Sequence, residues 1–430
     1  MQIKKTHAEG EALWCAFLIR VLTKRKRLTA EGPLVIFAAL YFKPNSVAAN
    51  FILNRDCLAS RFSQADREFF KKALALAKLG RGFVSPNPVV GAVVVREGEI
   101  VGTGYHRKFG GNHAEVEALH EAGPQARGAT LYCTLEPCSH FGKTPPCVNR
   151  VVDAGIQKVV IGSVDPNPLV NGRGIRLLRE HGIVVESGLY EEACREMNES
   201  FFKYIATRMP FLTLKIAQSI DGKIADRHGY SRWISNSFAR KLTHRWRWQS
   251  DAVLTGIGTV LQDDPQLTVR HENGPQPRRI VLDSHLRIPL TAKLLTDDHV
   301  HRTIVVISTA CKEEEKAAYL EQLGAHIWRV SPGKSGSLNM VEVLDRLGGE
   351  GIASVLVEGG RRIFSALLEE KLADRLSCFV APIILGEGVP AFHGLQIGSM
   401  SEAITLENLR WKVLGNNGLL TGRIKYSEVE

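Results

Sequence analysis

Four residues in the first half of the chain have the types and spacing to do chemistry: His113, Glu115 two places on, Cys138 preceded by Pro137, and Cys147. One imidazole and two thiolates form a soft nitrogen/sulfur set suited to a single Zn²⁺. Three protein ligands leave the fourth position for water, the arrangement of a catalytic zinc, and the metal draws the pKa of that water toward ~7. Glu115 falls at the start of a predicted helix, where its carboxylate faces the water without ligating the metal. It can take the water proton and deliver it to a ring nitrogen and a departing ammonia. His113 alone would more readily be a core histidine beside two inert thiols. The ordered pattern in a strand–helix context turns the reading to a metal site.

The order His-x-Glu, Pro-Cys, Cys is the signature of zinc cytidine-type deaminases. The usual Cys-x-x-Cys spacing is not kept, because eight residues, 139–146, separate Cys138 from Cys147. The insertion contains Pro145, Pro146, His140 and Lys143. A positive loop over the metal suits a substrate with a phosphate, although Lys143 reads equally as a solvated loop lysine.

In the second half no Gly-x-Gly-x-x-Gly stands at a strand–helix junction, so a Rossmann cofactor site is not supported. Instead, Glu358-Gly359-Gly360 lies between a predicted strand, 354–357, and a helix from residue 361. Two glycines at a helix start let backbone N–H groups approach a pyrophosphate, or simply make a tight turn. Lys215 sits on a strand among apolar neighbours and is either a functional amine or a snorkelling lysine. Arg247 and Arg270 can fork onto a phosphate; the plain alternative is two exposed arginines. Lys241, Arg245 and Arg247 interleave with Trp246 and Trp248 in the manner of single-strand binding, but an amphipathic helix beside a phosphate site is preferred.

The elements that position these residues read as α/β throughout. A helix over 65–79 precedes a β-branched strand, 89–95, and a hairpin partner, 99–105. A helix near residue 113, a strand over 129–135, a helix near 147 and a strand over 158–162 follow. Residues 179–188 read as the last strand of this unit and 191–208 as a helical connector. The second unit alternates strands at 211–217, 252–256, 279–283, 303–308 and 355–357 with helices at 236–249, 312–323 and 361–370, and ends on antiparallel pieces at 379–384 and 419–426. The 430 residues fit two such domains, 63–208 and 209–430, behind a basic leader, 1–62. The leader contains nine of the Lys/Arg residues and four of the Asp/Glu within its first 60 positions. It reads first as a poorly ordered segment, then as an over-extended start, and last as a targeting segment. The net charge of +10 favours anionic partners, but half the surplus lies in the leader, which weakens a nucleic-acid reading of the rest. Eight cysteines in a long chain with no evident secretory signal argue against a disulfide framework. No apolar run reaches the ~18–20 residues that span a bilayer. A cytoplasmic protein with no membrane partner is expected.

The motifs resemble those of the bifunctional riboflavin-biosynthesis deaminase/reductase family. The resemblance rests on 86–91, His113-Ala114-Glu115, 136–147 and 165–174 in the first half, and on 215–223, 256–265 and 357–360 in the second, covering about residues 63–427. It implies a cytidine-deaminase-like three-layer domain followed by a dihydrofolate-reductase-like domain. It also implies one zinc per chain, NADPH, and a homo-oligomer. The first reaction would remove the 2-amino group of 2,5-diamino-6-(5-phosphoribosylamino)pyrimidin-4-one. The second would reduce the ribosyl group to ribityl. Asn87, His106, Lys143, Asp165 and Asn167 match positions shaping the pyrimidine or phosphate pocket. Lys215 would polarise the sugar carbonyl or donate a proton, and Arg247 and Arg270 would hold the ribose phosphate. Ser231, Leu267 and Glu358 match substrate-lining positions. Ala217, Trp233, Thr259, Asp263, Ser284 and the run Gly360, Arg361, Arg362, Ile363, Phe364, Ser365 and Ala366 match NADPH-lining ones. Asp263 and Glu358 are equally suited to cap helices or close turns. Two rivals remain at this level. One is a nucleic-acid base deaminase with an accessory domain. The other is a structural zinc protein with His140 as fourth ligand.

Overall fold

A computed structural model describes residues 61–140, 145–168, 170–270, 272, 274–333 and 336–427. The chain divides into two units, Met1–Ser63 and Gln64–Glu430, and the elements that follow all belong to the second. Most of the predicted leader lies outside the described residues, and so does Lys143.

Helix α1 (Gln64–Ala77) precedes strands β1 (Gly91–Arg96) and β2 (Glu99–Tyr105), which form the hairpin. Then come α2 (Ala114–Ala122), β3 (Thr130–Leu135), α3 (Cys147–Asp153), β4 (Lys158–Ser163), α4 (Arg173–Glu180) and β5 (Val184–Ser187). The sheet order is β2-β1-β3-β4-β5, with β1 antiparallel to both neighbours and β3, β4 and β5 parallel. Strands covered on both faces read as unbroken apolar runs, and residues 91–95 of β1 and 159–163 of β4 are buried throughout. The core packs Ala92, Val94, Leu131, Cys133, Val159 and Ile161 against Ala114, Ala118, Val148 and Leu178. The expected strand over 179–188 is instead the end of α4, a turn, and the four residues of β5. Ile175 and Leu178 bury one side of that helix, but its eight residues are fewer than the window over which a helical period is read.

Helices α5 (Glu191–Met197) and α6 (Glu199–Thr207) lead to β6 (Phe211–Ser219), β7 (Lys223–Ala225), α7 (Ser237–Gln249), β8 (Ala252–Gly256) and α8 (Ile257–Asp263). Further on are β9 (Arg278–Leu282), α9 (Lys293–Thr296), β10 (Thr303–Ser308), α10 (Glu314–Gln322), β11 (His326–Val330), α11 (Met340–Gly349), β12 (Ser354–Val357) and α12 (Arg361–Glu369). The chain closes with β13 (Arg375–Ala381), β14 (Val389–Pro390), β15 (Thr405–Leu414) and β16 (Asn417–Lys425). Nine strands form one sheet in the order β11-β10-β9-β8-β12-β6-β13-β16-β15. The run from β11 to β13 is parallel, and β16 and β15 are antiparallel additions. The expected antiparallel pieces do pair, β13 with β16 and Phe379 opposite Leu419, although β13 stops at Ala381 and is parallel to β6 on its other side. Two apolar layers cover the sheet. One centres on Leu212, Leu214, Val355, Val357, Phe364 and Leu367, the other on Val253, Val281, Val305, Ile307 and Leu356. Consecutive strand residues thus face opposite layers, which fixes the register.

Candidate functional site

The fold brings His113, Cys138 and Cys147 to one point. Their ligand atoms lie within 4.8 Å of one another. His113 is the N-cap of α2, Cys147 opens α3 and Cys138 follows β3, so two helix starts and a strand end converge there. His113 Nδ1 stands 3.1 Å from Cys147 Sγ and 3.6 Å from Cys138 Sγ, and the Cys147 N–H donates to Cys138 Sγ at 3.3 Å. Facing the Cys147 thiol and His113, the Cys138 thiol is held down to about 4, and its sulfur in turn raises His113 to about 9. A sulfur that is so readily a thiolate, between an imidazole and a second thiol, fits a soft divalent cation. Among the described residues this is the one group of His, Cys, Asp or Glu side chains close enough to hold a metal, and His140 is not in it.

Glu115 is 3% exposed in the first turn of α2. Burial lifts its carboxyl to about 6 against the pull of His113, so the group can carry a proton near neutral pH. Asn87 Nδ2 lies 3.2 Å from His106 Nε2, and His106 Nδ1 lies 2.9 Å from the Asn112 carbonyl oxygen. The His106 ring sits edge-on to that of His113 at 5.4 Å. Burial lowers the pKa of His106. Asp165, pushed up to about 6 by burial, accepts from the Asn167 N–H at 2.8 Å. Asn87, His106, Asp165 and Asn167 therefore share the metal-facing end of the sheet.

Glu136 has a part that the sequence reading gave it no role for. Its buried carboxylate accepts the N–H groups of Asp165, Gly172 and Ile175 at 3.2, 3.0 and 3.2 Å. It thereby ties the end of β3, next to Cys138, to the segment bearing Asp165 and Asn167. A side chain at Gly174 would fall 2.2 Å from the Pro137 carbonyl oxygen, so the close approach needs glycine there. The one available sign was an acidic residue immediately before Pro137-Cys138.

In the second domain a cleft of about 1210 Å³ opens at the carboxyl ends of the parallel strands, where ligands enter such sheets. Its lining includes Lys215, Ala217, Ser231, Trp233, Arg247, Thr259, Asp263, Leu267, Arg270, Ser284, Glu358, Gly360, Arg361, Arg362, Ile363, Phe364 and Ala366. Ser365 does not line it: the side chain is 3% exposed and its Oγ accepts the His393 N–H at 2.8 Å. Successive residues of a helix turn by about 100° around its axis, and Ser365 falls on the side packed against the protein.

The structure also corrects Arg247. Its fork is not free for a phosphate, because Nε and Nη2 donate to the two Glu358 oxygens at 2.5 and 3.0 Å and Nη1 donates to the Thr268 carbonyl oxygen. Burial by itself would raise Glu358, but the Arg247 charge and its two hydrogen bonds, with Lys215 behind them, hold it at about 2. Lys215 Nζ lies 3.9 Å from Glu358 and has its pKa lowered by burial. Arg270 remains at the rim beside Gln266. Leu267 and Asp264 hold left-handed backbone angles, φ +54° and +42°. Strain of about 1–3 kcal/mol at such non-glycine positions is typical of ligand-facing segments. Ser231 Oγ donates to Asp263 at 3.3 Å, and Arg240 lies over the exposed Trp233 ring at 4.4 Å. Gly360 is the N-cap of α12, and no side chain caps the first N–H groups. With Arg361 and Arg362 in that first turn, the helix start fits the phosphates of a dinucleotide.

Fold and site together define a zinc-binding deaminase domain joined to a reductase domain. Family models agree: the cytidine and deoxycytidylate deaminase zinc-binding region matches residues 63–163, and the RibD C-terminal domain matches residues 210–420. Riboflavin biosynthesis protein RibD of Aquifex aeolicus is 45% identical over 355 residues, 82% of this chain and 97% of that protein. The Escherichia coli K12 protein of the same name is 40% identical over 77% of this chain and 92% of its own length. Among solved structures, Acinetobacter baumannii RibD superposes with TM-score 0.74 at 38% identity, over 84% of this chain and 99% of that one. A Thermotoga maritima diaminohydroxyphosphoribosylaminopyrimidine deaminase/5-amino-6-(5-phosphoribosylamino)uracil reductase gives 0.71 at 37% identity, over 84% and 98%.

The chain belongs to the RibD family, the bifunctional deaminase/reductases of riboflavin biosynthesis. Its first domain is cytidine-deaminase-like and its second is the reductase domain of the RibD type, a mixed α/β fold, with zinc and NADPH as the cofactors. A small pyrimidine fits both halves as substrate. No helix among the described residues is long and apolar enough to cross a membrane.

Proposed function

We propose that this chain deaminates 2,5-diamino-6-(5-phosphoribosylamino)pyrimidin-4-one and then reduces the ribosyl group of the product to ribityl. Support for the pair of substrates comes from the Thermotoga maritima relative, whose two named activities span those steps. The observation that carries the first step is the His113, Cys138 and Cys147 cluster with buried Glu115 beside it.

In that step His113, Cys138 and Cys147 hold the zinc, which when bound supplies Lewis-acid activation of water at neutral pH. Water adds at C2 of the ring, and the C2–N bond to the amino group breaks. Glu115 takes the proton released by the water, places it on the ring nitrogen and returns one to the departing amine, which leaves as ammonia. Asn87, His106, Asp165 and Asn167 orient the pyrimidine, with Lys143 assigned to the phosphate.

In the second domain Lys215 is the proton source for O4′, which is released as hydride, supplied by bound NADPH, reaches C1′ and the C1′–O4′ bond of the ribosyl ring is lost. Glu358 holds Lys215 and Arg247 in place, and Arg270 faces the substrate phosphate at the rim. Ser231 and Leu267 shape the substrate side of the cleft. Ala217, Trp233, Thr259, Asp263, Ser284 and the first turns of α12 line the nucleotide.

We infer a cytoplasmic homo-oligomer. Edge strand β15 leaves Leu409, Trp411 and Val413 51%, 62% and 83% exposed, and an edge of this kind is suited to a second copy of the chain.

The test of the first step is Glu115→Gln in zinc-loaded protein. Ammonia release is expected to fall by about 10²–10⁴-fold, with zinc still at one per chain by atomic absorption. Undiminished ammonia release would remove Glu115 from the reaction.

A further inference from the structure

The segment that carries Asn87 is held from the reductase side of the molecule. Ser85 Oγ donates to Asp251 Oδ2 at 2.8 Å. Asp251 stands one residue before β8, and the same oxygen accepts the N–H groups of Ala353 and Ser354 and the Ser354 hydroxyl, each at 2.9 Å. The carboxylate is thereby built into the amino-terminal end of the parallel sheet, where β8 and β12 pair.

Trp248, at the end of α7, meets the same segment. Its ring lies 5.9 Å from that of Phe83, and a side chain at Gly82 would fall 2.5 Å from the indole and from the Trp248 carbonyl oxygen. Gly82 also has φ +77°, so both space and backbone angle require glycine.

From Ser85 the contacts run inward. The Asn87 N–H donates to the Val84 carbonyl oxygen at 2.9 Å, closing a tight turn. The Asn87 side chain meets His106, and His106 meets the carbonyl of Asn112, the residue before zinc-ligand position His113. Asp251 thus anchors Ser85, the hydrogen-bonded 84–87 turn carries that anchor to Asn87, and Asn87, His106 and Asn112 extend it to the metal-facing end of the deaminase. A hydroxyl bound to a carboxylate is about twice as strong as a neutral pair, enough to fix a short irregular turn.

We propose that Asp251, a residue of the reductase domain, is a positioning residue for the deaminase: through Ser85 it sets where Asn87 and His106 meet the pyrimidine. The inference rests on the reading of Asn87 and His106 as pocket residues. It makes the deaminase pocket incomplete without the second domain, which gives a physical reason for the two catalysts to share one chain.

The test uses the full-length, zinc-loaded protein. Ser85→Ala removes the hydroxyl and leaves Asp251 its three other donors, so the sheet is untouched. The KM for deamination is expected to rise about tenfold, the size of one charge-assisted hydrogen bond. Its kcat, and kcat/KM for reduction of deaminated substrate supplied directly, are expected to stay within about twofold. Ser85→Thr, which restores the hydroxyl, is expected to recover the KM. Asn87→Ala is measured in parallel. If it raises KM while Ser85→Ala does not, the positioning role is overturned and the pocket reading stands. If neither variant changes KM, the pocket reading itself has failed. Equal loss of both activities in Ser85→Ala, with a lowered melting temperature, would make the bond mere domain packing and overturn the proposal as well.

Discussion

Arg247 and Glu358 decide how the reductase cleft responds to acid. The pair is buried, with side chains 11% and 10% exposed, and the carboxyl is held at about 2, below its ordinary 4.5. A depressed carboxyl contributes stability that is present above pH 4.5 and lost as pH falls toward 2. The shift corresponds to about 3 kcal/mol. Glu358→Gln leaves Arg247 without its buried counter-charge and is expected to cost about 3–5 kcal/mol at pH 7. The gap between the two proteins in urea denaturation is expected to narrow steadily below pH 4.5; a gap independent of pH would show that Glu358 does not carry this charge. The pairing joins residues 111 positions apart, which no local pattern signals, so the sequence reading assigned Arg247 to a phosphate. Glu136 escaped notice similarly, since its three N–H partners lie 29 to 39 residues downstream. The zinc set was legible because each of its residues stands at the end of a strand or the start of a helix that local pattern already marks.

Helix α12 and the glycine turn before it bear the nucleotide reading. Gly360 has φ −99° and ψ −179°, extended backbone open to any residue, and the nearest atom to a side chain placed there is Thr259 Oγ1 at 3.9 Å. Gly360→Val is therefore expected to fold while its methyl groups stand between the first-turn N–H groups and a phosphate. The KM for NADPH should rise at least about tenfold, the value of one or two hydrogen bonds to charge, with the melting temperature unchanged. Ser365→Ala is expected to do the reverse, lowering stability by about 1–2 kcal/mol through the unpaired His393 N–H and leaving the KM for NADPH unchanged. Unaltered NADPH binding in Gly360→Val would move the cofactor away from this helix. Strand β12 and helix α12 were legible from the apolar run, the glycine pair and the helical period. Helix α4 was not, because its eight residues are fewer than the window over which a helical period is read. Ser365 was misplaced because a run matched position by position ignores that a helix turns residues away from the ligand.

At the scale of the molecule, a five-stranded and a nine-stranded sheet follow one another along the chain, and the chain order matches the order of the chemistry. Alternating strands and helices made two α/β domains legible. The order of the nine-stranded sheet was not, since β12 inserts between β6 and β8, far from both in sequence, and such pairings leave no local trace. Two separate sites predict two separable reactions, because the metal cluster and the reductase cleft share none of their residues. The most direct measurement supplies the diaminopyrimidine ribosyl phosphate to the purified protein with and without NADPH, following ammonia and NADPH oxidation separately. Ammonia released without NADPH, and NADPH consumed only after deamination, is the predicted result. Zinc-loaded protein that releases no ammonia, or that oxidises NADPH before any ammonia appears, would contradict the account.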